Sequence, residues 1–73
     1  MKITNMFNET RSLKHDNLYI VESGIYNEEI INSPDSQKAI DKFLELYPNT
    51  KNIITATEIE FEKYFNINSI IEV

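Results

Sequence analysis

The chain has 73 residues, no cysteine, one histidine and a formal net charge of −5 with a pI near 4.7. These values exclude a disulfide framework and a structural zinc site of the usual nitrogen–sulfur kind. They also argue against direct binding to nucleic acid, which needs a basic footprint.

A chain this short reads as one domain, 1–73, that buries only about 60% of the surface its unfolded form exposes. No apolar run approaches the ~20 residues of a membrane span, and residues 1–16 lack the apolar core of a secretory signal. A cytoplasmic protein is expected, and the absence of cysteine fits a reducing compartment. The chain is rich in Asn, Ile and Lys, which use AT-rich codons, and this points to a low-GC bacterium or its phage.

Residues 1–7 hold Ile3, Met6 and Phe7 and read as an edge strand or as an arm that packs Phe7 onto the core. Residues 8–17 are polar apart from Leu13 and read as a loop or one loose helical turn, so 1–16 is expected to be a loosely packed arm or an edge strand plus loop. That loop contains Arg11, Lys14 and His15, the only basic cluster. Against the overall negative charge this patch is too small for a nucleic-acid site.

Residues 18–22, Leu-Tyr-Ile-Val-Glu, are β-branched and aromatic and predict a strand. Gly24 is the only glycine, and it marks a turn or a bulge. Residues 25–31 predict a second strand, giving a hairpin with its turn near Gly24. One long bulged strand, or a helical turn at 28–31, is the alternative.

Residues 33–48 predict the principal helix, about 34–47. Ser33 is a suitable N-cap, Pro34 suits the first helical position, and Asp35 faces the positive end of the dipole. Ile40, Phe43, Leu44 and Tyr47 fall at i, i+3, i+4 and i+7, and Ala39 and Leu46 widen that apolar stripe. Pro48 then stops the helix. A lone helix cannot bury such a stripe, so a sheet must face it.

Residues 53–56 predict a strand. From Thr57 two periods compete. Ile53, Thr55, Thr57, Ile59 and Phe61 alternate as in a half-buried strand, whereas Thr57 and Glu60 form a capping box with Phe61, Tyr64 and Phe65 on one helical face. The reading preferred here is a strand at 52–57 and a short helix at 58–65. Residues 68–73 supply a last strand. The fold class is α+β, a small, largely antiparallel sheet packed by one principal helix, in the order β-β-α-β-(short α)-β.

No residue set supports catalysis, a metal or a cofactor. His15 beside Asp16 could form a base and its orienter, but a single histidine in a polar loop is ordinarily a solvent-facing residue. Glu58, Glu60 and Glu62, with Glu28 and Glu29, are the most concentrated acids. As a strand, 58–62 would put its three glutamates on one face. Plain solvation explains them, and so does a charged face shown to a basic partner. Tyr26 and Tyr64 are the aromatic residues expected to be partly exposed and to anchor such a contact, together with the last strand.

These features suggest a type of protein by size and composition, not a family. The expectation is a non-enzymatic, acidic protein-binding module whose partner is another protein with a basic surface. One form is a phage- or mobile-element-encoded inhibitor of a host nuclease, an anti-CRISPR-like mimic of nucleic acid. The alternative is a small regulatory subunit, or a structural homodimer that closes its sheet across an edge strand. The apolar C-terminus, Ile67, Ile70, Ile71 and Val73, is the sequence support for the homodimer.

Overall fold

The computed structural model describes residues 1–24, 27–61 and 66–73. Its centre is the antiparallel pair β3 (Asn17–Ser23) and β4 (Asn27–Ser33), in which Tyr19 lies opposite Ile31 and Val21 opposite Glu29. Gly24 follows β3 with φ +69°, in the left-handed region that favours glycine. A Cβ there would also fall 3.1 Å from the side-chain amide nitrogen of Asn52. Strand β5 (Ile54–Ile59) pairs antiparallel with the outer side of β3, and β6 (Ile71–Glu72) runs parallel to β4. The main sheet therefore has the order β5-β3-β4-β6.

The helix α1 (Ser36–Leu46) covers one face of this sheet. Tyr19, Val21 and Ile31 meet Ala39 and Phe43 there, all buried, and Ile40, Tyr47, Ile54, Ala56 and Ile71 close the margins. Phe43 and Tyr47 stack as tilted rings with centroids 4.9 Å apart. Full burial of a side chain such as Phe43 contributes about 1.5–3 kcal/mol.

The helix begins two residues later than the sequence implies. Ser33 is still strand, paired across the sheet with Asn17, and its hydroxyl donates to the Asp35 carbonyl (2.7 Å). Pro34 makes the corner. Asp35 is the N-cap, in extended conformation, and its carboxylate accepts from the Lys38 amide (2.7 Å). A carboxylate serves that position doubly, as acceptor and as counter-charge to the dipole.

Leu44 and Leu46, expected within the buried stripe, are exposed. The stripe that meets the sheet is Ala39, Ile40, Phe43 and Tyr47, and at about 100° per residue Leu44 and Leu46 fall on its two flanks.

The strand reading at 52–57 also changes. β5 runs on to Ile59, so Glu58 and Ile59 are strand where a helix start was expected. Their register explains this: Ile59 lies opposite Leu18, and its side chain packs into the core of the second face. Glu60 and Phe61, also expected in that helix, are irregular, and its remainder, 62–65, lies outside the described residues.

The second face is covered at one end. β1 (Lys2–Thr4) and β2 (Thr10–Ser12) form a separate antiparallel hairpin with Ile3 opposite Arg11. Ile3 and Leu13 close over Leu18 together with Ile67 and Ile70, with Ile30, Ile59 and Phe61 packed around them. The described residues thus form two small cores, one on each side of the sheet. At the sheet's other end, Glu22, Glu28, Thr55 and Thr57 are exposed on the uncovered half.

A polar clamp holds the hairpin to the sheet. Asn32 on β4 is fully buried. Its Oδ1 accepts from the His15 amide (2.9 Å), and its Nδ2 donates to the carbonyls of His15 (2.9 Å) and Asn17 (3.0 Å). Arg11 on β2 donates to the carbonyls of Ile67 (2.6 Å) and Ile70 (2.9 Å) and pairs with Glu72 at 3.1 Å. Buried polar groups satisfied in this way fix one arrangement of the elements they join.

Candidate protein-binding surface

The sharpest surface feature is the tip of the β1–β2 hairpin. Asn5 is buried at the start of the turn, and its side chain staples it. Oδ1 accepts from the amides of Phe7 (3.0 Å) and Glu9 (3.1 Å), and Nδ2 donates to the Glu9 carboxylate (2.9 Å). The backbone adds Asn5 N–H to the Glu9 carbonyl (3.0 Å) and Asn8 N–H to the Asn5 carbonyl (3.1 Å). Asn8 takes the left-handed conformation, φ 62°, which asparagine tolerates better than most residues. With every end of the turn tied, Met6 and Phe7 are held outward, 55% and 73% exposed.

Single exposed apolar side chains are ordinary on protein surfaces. Two adjacent ones at the end of a stapled turn differ in one respect. Their backbone is already ordered, so a partner that buries them loses little conformational freedom in doing so. Phenylalanine is also a large apolar surface to bury.

The sequence-predicted acids do not form one face. Glu58 is exposed on the helix side of β5, opposite Tyr19. It lies close enough to the Tyr19 hydroxyl, with Asp35, to act on its ionisation. Burial first, then the charges of Glu58 and Asp35, raise the Tyr19 pKa above the ordinary phenol value, against a lowering hydrogen bond from Asn17. Glu60 is exposed just beyond the strand. Glu29 faces the helix side and its carboxylate accepts a hydrogen bond from the Tyr47 hydroxyl. That bond, then desolvation, then the Glu29 charge raise the pKa of Tyr47.

Glu28 stands on the opposite face, directly across from Glu22. Like charges in opposed positions weaken a strand pair, so Glu22 and Glu28 cost the sheet stability where they stand. The proposed contacts Glu62, Tyr64 and Tyr26 lie outside the described residues.

His15 and Asp16 do not make a dyad. The His15 Nε2 lies 3.2 Å from the Val73 carbonyl, whereas the Asp16 side chain is exposed and sits 3.6 Å from the N-terminal amine. The C-terminal isoleucines, read as an exposed anchor, are core. Ile67 and Ile70 are buried under the hairpin, because the second sheet face needs a cover the helix cannot give, whereas Ile71, paired beside Ile31, is half-buried against the helix-side core.

Among the described residues no group of three or more His, Cys, Asp or Glu side chains could hold a metal ion, and no helix is long and apolar enough to cross a membrane. An open cleft of about 360 Å³ beside the end of α1 is lined by Asn27, Leu46, Tyr47, Pro48, Asn49 and Thr50.

Sequence reasoning missed the hairpin tip. Its signal was Asn5-Met-Phe-Asn8, two turn-forming asparagines bracketing two apolar residues. Comparison of the chain with protein-family models, with curated proteins and with solved structures gives no match.

Proposed function

We propose that this chain is a non-enzymatic, cytoplasmic protein-binding module that seats the Met6–Phe7 tip in an apolar pocket of a partner with a basic surface. The stapled, solvent-facing Phe7 is the observation that carries this reading. The net charge of −5 supports the choice of partner. A negative field accelerates encounter with a basic surface and disfavours acidic ones, while a buried aromatic anchor slows departure. Glu58 and Glu60, with Glu22 and Glu28 on the uncovered half of the sheet, are the exposed carboxylates available to stand opposite lysines and arginines. A nuclease whose groove ordinarily holds phosphates presents such a surface, and an inhibitor carried by a phage or mobile element is the form of this function that the charge favours.

The test is capture from bacterial lysate on the immobilised protein, beside an immobilised Phe7→Ser variant of the same fold. A protein retained by the wild type, lost with Phe7→Ser and weakened by raised salt supports the reading. Equal retention by both would contradict the role of the tip, and retention insensitive to salt would contradict the basic partner.

A further inference from the structure

We infer that β5 is a self-association strand, pairing antiparallel with β5 of a second copy of this chain about a two-fold axis perpendicular to the sheet. β5 is an edge of the four-stranded sheet, and among the described residues no strand pairs with its outer side. The other edge, β6, is only two residues long. Natural sheets guard their edges with proline, lysine, bulges, short length or a cover. The six residues of β5, Ile-Thr-Ala-Thr-Glu-Ile, include no proline and no lysine. Just before them stands Ile53, 87% exposed. Residues 53, 54, 55, 57 and 59 are all β-branched, the type that best fits a pleated surface.

The sequence of this edge fits its own copy. An isologous contact requires one surface to complement itself, and with this axis directly opposed residues share a sheet face. Centring the pair on Ala56 places the smallest side chain of β5 at the axis. Thr55 then opposes Thr57 of the second copy, a favourable cross-strand pair. Ile53 opposes Ile59 of the second copy, which covers the most exposed large apolar side chain among the described residues. Glu58 lies against Ile54 of the second copy, and the two Glu58 carboxylates are separated by four strand positions, roughly 13 Å along the chain. No like charges meet.

Two four-stranded sheets thereby become one continuous sheet. The contact is far smaller than the about 20–30 residues a side of a standard interface, so the dimer is weak and depends on concentration. The inference does not rest on the hairpin tip, which belongs to the other, two-stranded sheet.

Sedimentation equilibrium of the full chain, from micromolar to about 1 mM, tests it. A reversible monomer–dimer equilibrium is expected. Thr55→Lys with Thr57→Lys sets like charges opposite each other at both threonine pairs and should weaken dimerisation at least about tenfold, about 1.4 kcal/mol. Both positions are exposed and Thr55 faces Glu22 on β3, so the melting curve at low concentration should be retained. Thr55→Lys with Thr57→Glu should restore dimerisation, because in this register position 55 meets position 57. A monomer throughout the range would overturn the inference. So would a double-lysine variant that dimerises like wild type, or a lysine–glutamate variant that stays monomeric.

Discussion

Asn32 offers the most stringent test of how the hairpin is held to the sheet. Its side chain makes three hydrogen bonds, to the His15 amide, the His15 carbonyl and the Asn17 carbonyl, and it is fully buried. Asn32→Leu keeps the approximate volume and removes all three. A typical internal hydrogen bond contributes about 0.5–1.5 kcal/mol net, so the loss should be about 3 kcal/mol. A domain of this size holds roughly 0.05–0.15 kcal/mol per residue in all, which makes that loss a large fraction of the total. At about 4–8 °C per kcal/mol, the Tm should fall by about 12–24 °C.

Asn32→Asp is the sharper variant. It keeps the acceptor for the His15 amide but sets a carboxylate oxygen where Nδ2 donated to two carbonyls. At pH 7 it should destabilise more than leucine does, because it buries an unpaired charge facing two acceptors. Burial favours the protonated form of the introduced acid in the folded state, so its penalty is present at neutral pH and lessens as pH falls. Far-UV circular dichroism melts of the three proteins at pH 7 and near pH 4.5 would measure this. An Asn32→Leu variant within about 1 kcal/mol of wild type, or an Asn32→Asp variant no worse than it at pH 7, would refute the clamp.

Two further outcomes follow from single residues. Ser23 is buried and its hydroxyl has no hydrogen-bond partner among the described residues, so Ser23→Ala should raise stability by about 1 kcal/mol in urea unfolding, and a clear loss would show that the hydroxyl is bonded in the folded state. The raised pKa values of Tyr19 and Tyr47 mean that the folded state holds those protons more tightly than the unfolded state. Their contribution to stability is complete below the ordinary phenol pKa of about 10 and is lost as pH rises above it. Phenolate absorbance should show these two tyrosines titrating late, and Glu29→Gln should bring Tyr47 back toward ordinary behaviour while leaving Tyr19 unchanged. Two late phenols with no change in that variant would contradict the assignment.

The β3–β4 hairpin was legible because β-branched and aromatic composition and the single glycine agree on it, and a chain this short has few places to turn. The helix was legible from its apolar spacing, but its start was not. Ser33, Pro34 and Asp35 are all good starting residues, and only the pairing of Ser33 with Asn17 decides among them. Leu44 and Leu46 show a second limit, since periodicity gives the direction of a stripe but not how far round the helix burial extends. The largest misreading was the C-terminus. Ile67 and Ile70 read as support for a homodimer contact because a two-layer fold needs no cover on the sheet's second face. Leu18, Ile30 and Ile59 make that face apolar at one end, and it draws the C-terminal segment and Ile3 over it. The hairpin tip escaped notice for a related reason. One of the two readings of residues 1–7 packs Phe7 inward, and nothing in its own neighbourhood shows that Ile3 and Leu13 are the residues buried there instead.

In the function proposed above, a preordered aromatic tip anchors a partner toward which the acidic surface steers the chain. Stopped-flow or surface-based binding kinetics against the captured partner measures both halves at once. Phe7→Ala should speed dissociation roughly thirtyfold, the effect of losing an anchor worth about 2 kcal/mol, with association nearly unchanged. Glu58→Lys with Glu60→Lys should slow association and flatten its dependence on salt, with dissociation nearly unchanged. Dissociation unaffected by Phe7→Ala would contradict the account, because the tip would then be a surface turn that the partner does not touch.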